Sequence, residues 1–198
     1  MINPISIISK YYRPGSKAYT LLVEHCTQVA DRAIEITRQM TGHNIDAGFV
    51  KEAAMLHDIG IFLTHAPPLE CRGVHPYLRH GFLGGRILRK EGLGRHALVC
   101  ERHVGAGISR QDVIDQGLPL PAKDMLPVTL EEKIICYADK FFSKNHGAPP
   151  REKPLEDVVE ELRTHGTAQV DRFLNWHAQF SLTAMRGNGQ LRTASAAK

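Results

Sequence analysis

Apolar residues recur along most of the chain at a spacing near 3.6 residues, which places them on one face of each of several helices. No stretch alternates between apolar and polar residues for long enough to predict a strand. The pattern therefore predicts an all-α fold. The predicted helices cover about 17–40, 46–59, 77–91 and 95–104, one from Thr129, one from Pro154 to near Gly166, and one from about Thr167.

The segments between the helices hold residues that interrupt regular structure. Residues 1–15 contain Pro4 and a Pro-Gly pair, and we expect an irregular lead there. A loop is expected over 64–76, where it would form a lid or a substrate wall beside a site, or else a solvated connection. Residues 105–128 are rich in Gly and Pro, and Thr129 with Glu132 three residues later predicts a reciprocal capping box at the start of the next helix.

Chain length favours one domain, because 198 residues can build a single sizeable core. We expect a lead at 1–16, a helical domain at 17–182 and a flexible tail at 183–198, where the residues are small and polar.

Composition and charge narrow the range of partners. The chain carries 25 Lys+Arg against 21 Asp+Glu, and the resulting charge of +4 is too mild to imply nucleic acid, although it suits an anionic substrate. Neither a signal peptide nor an apolar run long enough to span a membrane is present. None of the four Cys residues forms a C-x-x-C pair. We expect a cytoplasmic protein with no membrane or nucleic-acid partner, and the sequence leaves a homo-oligomer open.

The pair His57-Asp58 offers an imidazole nitrogen and a carboxylate at the end of an apolar helical run. Two such adjacent side chains can bind one divalent metal ion together or bridge two ions. Asp46 is a candidate N-cap for this helix, and Gly60 suits a left-handed helix end. A buried His alone is more often a core residue than a ligand, but an unpaired buried Asp beside it would be costly.

Six such groups fall on the inner faces of five predicted helices. They are His25, His57, Asp58, His80, His103 and Asp139. A hydrophobic core has no use for them, whereas a metal centre does. Six ligands are too many for one metal with an open catalytic position, and they suit two metals about 3.5–4 Å apart with Asp58 as the bridge.

The order H…HD…H…H…D, with His57-Asp58-Ile59-Gly60 at its centre, resembles the HD-domain superfamily of metal-dependent phosphohydrolases in its HDIG form. The resemblance covers about residues 17–145 and implies a helical bundle with a central metal site. It implies that His25, the His57-Asp58 pair and Asp139 hold one metal. His80 and His103 would mark a branch that holds a second.

Finer likenesses point in two directions. Residues 130–140 look like the final-Asp helix of bacterial dinucleoside-tetraphosphate hydrolases. Residues 64–76 and 101–107 look more like an uncharacterised bacterial and archaeal HDIG group. The chain lacks the Gly-Tyr-Pro signature of cyclic-di-GMP phosphodiesterases.

The sequence thus favours a phosphohydrolase that cleaves a nucleotide or another small phosphate ester with a metal-activated hydroxide, with His57 and Asp58 at its catalytic centre. Two divalent ions are expected, and four imidazoles suit Fe, Mn, Co, Ni or Zn better than Mg or Ca. Candidate substrate-binding residues are Arg102, Lys140, His65 and His75. The remaining histidines are expected to be structural or surface residues; they are His43, His96, His146, His165 and His177.

Two other functions remain open at this point. The same six-ligand set occurs in HD-type di-iron oxygenases, which cleave C–C or C–P bonds with O2. A lysine near the fourth His would favour that class, but Gly107 and Ser109 occupy the neighbourhood here. The third candidate is a non-catalytic nucleotide sensor, which the retention of all six ligands disfavours.

Overall fold

Helices make up nearly all the regular structure in the computed structural model, which describes residues 1–144 and 152–194, with side chains described up to residue 181. The all-α prediction is confirmed. The helices are α1 (Pro4–Tyr11), α2 (Lys17–Gln39), α3 (Ala47–Leu56), α4 (His80–Lys90), α5 (Gly94–Arg102), α6 (Arg110–Asp115), α7 (Leu130–Asp139), α8 (Leu155–Arg163) and α9 (Thr167–Ala194).

The longest fully described helix, α2, lies between two hydrophobic cores. On one side it packs with α3, α7, α8 and α9 around residues such as Val29, Val50 and Phe173. On the other side its first half packs with α1, α4 and α5 around residues such as Leu22 and Leu88. Burying two apolar faces fixes the rotation of α2, and any polar group between those faces must also be buried.

The expectation of an irregular N-terminal lead is wrong, because Pro4–Tyr11 is helical. Proline is well tolerated in the first helical turn, where its missing N–H would have had no partner. Asn3 caps the helix by accepting a hydrogen bond from the backbone N–H of Ser6. Ile8 and Tyr12 then bury the inner face of α1 in the second core.

The segment 64–76 is more ordered than a plain loop. It contains a two-stranded antiparallel sheet, β1 (His65–Ala66) and β2 (Cys71–Arg72), which the sequence did not predict. The strands are joined through a 3-10 turn, and Glu70 closes that turn in the left-handed conformation with φ 54°. The small sheet sits beside the site described below.

The helix within the segment 105–128 and the helix that follows this segment are both capped by side chains. The Gly/Pro-rich segment 105–128 includes the short helix α6, capped by a reciprocal pair of bonds between Ser109 and Asp112. The expected reciprocal box at Thr129 is only half formed. Thr129 accepts from the N–H of Glu132, but the carboxylate of Glu132 accepts from the N–H of Val128 instead of returning the bond.

Gly60 is needed for space rather than for a left-handed backbone, because its φ is −82°. A Cβ at this position would lie 2.2 Å from the carbonyl oxygen of His80 and 2.4 Å from the amide nitrogen of Gly84. The turn that follows α3 therefore packs directly against the backbone of α4.

The predicted tail at 183–198 stays a prediction. The backbone continues as α9 to Ala194, and residues 195–198, like His146, lie outside the described residues. Within the described part of the chain, no helix combines the length and apolar character needed to cross a membrane.

Candidate metal centre

All six predicted ligands converge in the middle of the bundle. His25 comes from the middle of α2, His80 begins α4 and Asp139 ends α7. Helix α3 ends at Leu56, earlier than predicted, so His57 caps it and Asp58 lies in the following turn. His103 caps α5 in the same way. Every one of the six side chains is buried.

Four of the six side chains form a first group around a common point. Nε2 of His25 lies 3.3 Å from Oδ2 of Asp58 and 3.0 Å from Oδ1 of Asp139. Nε2 of His57 lies 3.3 Å and 3.4 Å from the same two oxygens. Two imidazole nitrogens and two carboxylate oxygens therefore face one another, which is a donor set that could hold a metal ion.

The second group shares Asp58 with the first. Nε2 of His80 and Nε2 of His103 lie 3.2 Å and 3.3 Å from Oδ1 of Asp58, and the two nitrogens are 3.1 Å apart. Oδ2 of Asp58 therefore faces the first group while Oδ1 faces the second. The sequence suggested a bridging carboxylate, and the orientation of Asp58 permits that role.

Several buried atoms in this cluster lack hydrogen-bond partners. They include both carboxylate oxygens of Asp58 and Nε2 of His57. Lys144 forms an ion pair with Oδ2 of Asp58, but Oδ1 faces the imidazole nitrogens of His80 and His103, so the buried carboxylate can still accept a further positive partner. A bound cation would be such a partner, and the residues present therefore fit a metal.

Hydrogen bonds to backbone carbonyl groups orient three of the four imidazole rings. Nδ1 of His57 lies 2.6 Å from the carbonyl oxygen of Ala54, and Nδ1 of His103 lies 2.8 Å from that of Cys100. Nδ1 of His80 bonds in the same way to the residue three positions earlier, at 2.7 Å. Because a carbonyl only accepts, each Nδ1 carries a proton, and each Nε2 faces the cluster.

The protonation of the buried groups follows from their surroundings. Burial lowers the pKa of His103 to about 3, so that imidazole is neutral. Burial also disfavours the charged form of His57, but the charge of Asp58 outweighs it and holds the pKa of His57 well above its usual range. A cation in the first group would have to displace the proton of His57.

The acids stay ionised for a different reason. Burial would raise the pKa of Asp139, but the charges of Lys140 and Lys144 and hydrogen bonds from the imidazoles hold it well below its usual range. The pKa of Asp58 is likewise held well below its usual range, with Lys144 as the largest lowering influence. Both carboxylates are therefore available as anionic ligands.

Lys144 is a site residue that the sequence did not reveal. Its Nζ lies 2.9 Å from Oδ2 of Asp58 and 3.8 Å from Oδ1 of Asp139, and its side chain is 19% exposed. The residue lies five positions beyond Asp139, where α7 has already ended, so helical periodicity could not predict where its side chain lies. A second lysine shortly after the predicted ligand was the available signal.

Two open cavities meet at the cluster. The larger, of about 500 Å³, is lined by His65, Pro67, Pro68 and Phe142 among others. The smaller, of about 270 Å³, includes His80, His103 and His165. Both are also lined by Tyr77, Asp139, Lys140, Lys144 and Glu161. The size of the larger cavity is typical of small-molecule sites.

The remaining substrate candidates lie in different places. Lys140 and His65 line the cavities, and Nζ of Lys140 lies 2.6 Å from Oδ2 of Asp139. Arg102 lines neither cavity and forms an ion pair with the buried Glu132, with 2.9 Å between NH1 and each carboxylate oxygen. His75 also lines neither cavity, and its Nδ1 lies 3.5 Å from NH1 of Arg79.

Two residues were overlooked on the cavity walls. Tyr77 stacks on the ring of His80 with centroids 4.6 Å apart, and it is 38% exposed. His165, expected to be structural or on the surface, is exposed and lines the smaller cavity beside two predicted ligands. Neither carries a motif that would have singled it out.

Comparison with known proteins gives a family and several relatives. A family model described as HD domain matches residues 22–143. Over 144 residues the chain is 40% identical to an uncharacterized protein of Methanocaldococcus jannaschii, a match that covers 71% of this chain and 75% of that protein. It is 31% identical over 156 residues to a tRNA (cytidine(56)-2'-O)-methyltransferase of Thermoplasma volcanium, where it covers 78% of this chain but only 39% of the relative.

Solved structures resemble this fold at low sequence identity. The HD domain of the L. monocytogenes phosphodiesterase PgpH superposes with a TM-score of 0.55 and 16% identity, covering 98% of this chain and 100% of that chain. A structure of the same domain in complex with cyclic-di-AMP gives a TM-score of 0.53 at 15% identity, with 96% of each chain covered. At this identity the likeness shows the shared fold.

Proposed function

This chain belongs to the HD domain family, and from that premise we propose that it is a metal-dependent phosphohydrolase that cleaves a nucleotide or another small phosphate ester. One observation carries the proposal. Asp58 is fully buried and stands between two groups of imidazoles, beside an open cavity lined by three lysines. Such a carboxylate is ready to be shared by two cations.

In this proposal His25, His57, Asp58 and Asp139 hold one divalent cation. His80, His103 and the other oxygen of Asp58 hold a second. Fe, Mn, Co, Ni and Zn remain the expected ions, because four of the six donors are imidazoles. When bound, two such ions supply a hydroxide nucleophile near neutral pH and offset negative charge on a phosphoryl group.

The chain itself would bind the phosphate through Lys140 and Lys144. Both side chains line the two cavities, and both stand next to the carboxylates that the cations would occupy. With both carboxylates engaged as metal ligands, the ammonium groups of Lys140 and Lys144 would be free to bind phosphoryl oxygens.

The cavities also favour a substrate with an organic part. The larger cavity presents Pro67, Pro68, Phe142 and the imidazole of His65, and Tyr77 lines both cavities. Rings and prolines of this kind bind planar or apolar groups, and a nucleotide combines such a group with a phosphate. The cyclic-di-AMP complex of the structural neighbour supports a nucleotide as well.

The decisive experiment combines metal analysis with a substrate screen. Protein purified without added metal is assayed for bound metal, loaded with Mn²⁺, and tested for phosphate release across nucleotides and simple phosphate esters. Lys140→Met should raise KM, whereas the exposed Lys51→Met should behave as the unaltered protein.

Two results would contradict the proposal. Turnover that requires O2 and iron would indicate an oxygenase. Nucleotide binding without turnover by fully metal-loaded protein would indicate a sensor.

A further inference from the structure

The loop that follows His103 is held by a helix outside the region matched by the family model. This loop comprises residues 104–107, and two of its residues, Gly105 and Gly107, have positive φ angles of 60° and 86°. A loop in such a conformation forms no continuous helical or strand bonding of its own, so other groups must satisfy its buried backbone. Helix α9, beyond residue 143, supplies them.

Four hydrogen bonds from α9 bracket the loop. Oε1 of Gln169 accepts from the N–H of Ala106 at 2.5 Å, and its Nε2 donates to the carbonyl of Gly107 at 3.0 Å. Nε of Arg172 donates to the carbonyl of Ala106 at 2.9 Å, and NH2 donates to that of Gly107 at 2.8 Å.

Gln169 is only 5% exposed, which is unusual for an amide side chain. Burial of an amide is costly unless both of its ends are bonded, and here both ends are bonded to the loop. The contact is also tight on the other side, because a Cβ at Gly105 would lie 2.6 Å from Oε1 of Gln169. The amide therefore fixes where the loop can lie.

The position of the loop bears directly on His103. Its carbonyl oxygen accepts from Nζ of Lys140 at 3.1 Å and from Sγ of Cys136 at 3.3 Å, and Sγ of Cys136 also lies 3.4 Å from the carbonyl oxygen of Gly105. The backbone of His103 is thus held on one side by α7 and, through the next three residues, on the other side by α9.

We infer that Gln169, assisted by Arg172, is a positioning residue that sets the place of His103 and thereby completes the second cation site. The inference rests on the proposed two-cation centre and deepens it. Helix α9 thereby becomes a functional part of the site, although none of its described side chains lies in either group of predicted ligands.

The test compares two pairs of matched variants. Each variant is titrated with Mn²⁺ alone, binding is measured by calorimetry, and the number of bound ions is measured by metal analysis. Gln169→Leu removes the bracket, and Val170→Ala, at the next position in the same helix, weakens the core but leaves all four hydrogen bonds to the loop in place. Gly105→Ala disturbs the bracket from the loop side. Gly117→Ala imposes the same left-handed strain, with φ 58°, where no atom lies near the added methyl group.

Gln169→Leu and Gly105→Ala should each weaken the second Mn²⁺ site by about tenfold or more while the first site keeps its affinity, as expected for residues that orient a ligand. Val170→Ala and Gly117→Ala should bind two ions with unchanged affinities. Loss of both sites together, or equal behaviour of test and control variants at matched thermal stability, would overturn the inference and leave the proposed function standing. If the unaltered chain takes up fewer than two ions, the inference fails, and the phosphate-release screen then decides the proposed function separately.

Discussion

Nε2 of His25 lies 3.0 Å from Oδ1 of Asp139, although the two residues are 114 positions apart in the chain. One side chain comes from the middle of α2 and the other from the last residue of α7. A cation held between them would link two helices that contribute to the same hydrophobic core. Binding at this point and folding of the bundle should therefore be coupled.

Removal of metal should lower stability as well as activity. A ligand that binds only the folded chain at 100 times its dissociation constant adds about 2.7 kcal/mol to the free energy of unfolding. We expect chelation to lower the thermal midpoint and abolish phosphate release, and Mn²⁺, Fe²⁺, Co²⁺, Ni²⁺ or Zn²⁺ to restore both more effectively than Mg²⁺ or Ca²⁺. Full turnover by protein verified to be metal-free would contradict this.

Asp58→Ala should lose essentially all turnover, whereas His103→Ala should retain some. Asp58 faces both groups, so its removal dismantles both cation sites, while His103 faces one group only. Metal stoichiometry and initial rates on a phosphate ester should be measured at equal folded fraction. Two metals and near-normal turnover in Asp58→Ala would show that this carboxylate is not the bridge.

Lys144→Met should destabilise the metal-free protein by about 2 kcal/mol at neutral pH, since the buried carboxylate of Asp58 loses its closest positive partner. The first cation should bind more tightly to this variant, because the ammonium no longer competes for Oδ2. The measurements are unfolding in denaturant with chelator present and a separate metal titration. Lys51→Met is the matched control.

The stability difference for Lys144→Met should depend on pH in a defined direction. The pKa of Asp58 is lowered in the folded chain, so its contribution is present above the ordinary aspartate pKa of about 4 and is lost as the pH falls further. The pKa of Lys144 is raised, so its contribution persists until the pH rises beyond about 10. A difference that grows on acidification would contradict this pairing.

Arg102→Met should weaken the fold more than the reaction. Glu132 is only 4% exposed, and both of its carboxylate oxygens accept a hydrogen bond from NH1 of Arg102. Loss of the guanidinium would leave a buried charge unpaired, which should lower the free energy of unfolding by about 2 kcal/mol. Turnover of the folded fraction should change by no more than about twofold, as for changes away from a site. A large rise in KM would instead support the substrate role predicted from the sequence.

Helical periodicity was sufficient to predict that the six side chains lie close together, because it reports which face of each helix is buried. It placed His25 and Asp139 on inner faces, and both lie in regular helix. It also pointed correctly for His57 and His103, which cap helices and keep right-handed backbone angles. The periodicity could not give distances, which depend on how five helices pack.

The misses have physical reasons of their own. The helix α1 was overlooked because Pro4 was treated as a breaker, although the first turn accepts proline. Lys144 follows the end of α7, where no periodicity applies, and Gln169 lies in a helix without a recognisable motif. Arg102 was proposed because it precedes His103, but adjacent helical residues point about 100° apart, and its guanidinium pairs with Glu132, so its substrate role stays a prediction.

Three of the imidazoles take their tautomer from carbonyls of their own local turn, and in α3 and α5 those carbonyls belong to the final turn of the helix. The last carbonyls of a helix lack partners within it, so His57 and His103 also serve as its C-terminal stop. The Nδ1 proton of these two imidazoles is therefore held by a local carbonyl and does not depend on contacts with distant helices. Replacing either imidazole would therefore remove a helix stop as well as a proposed ligand, whereas a chelator would remove a bound cation alone.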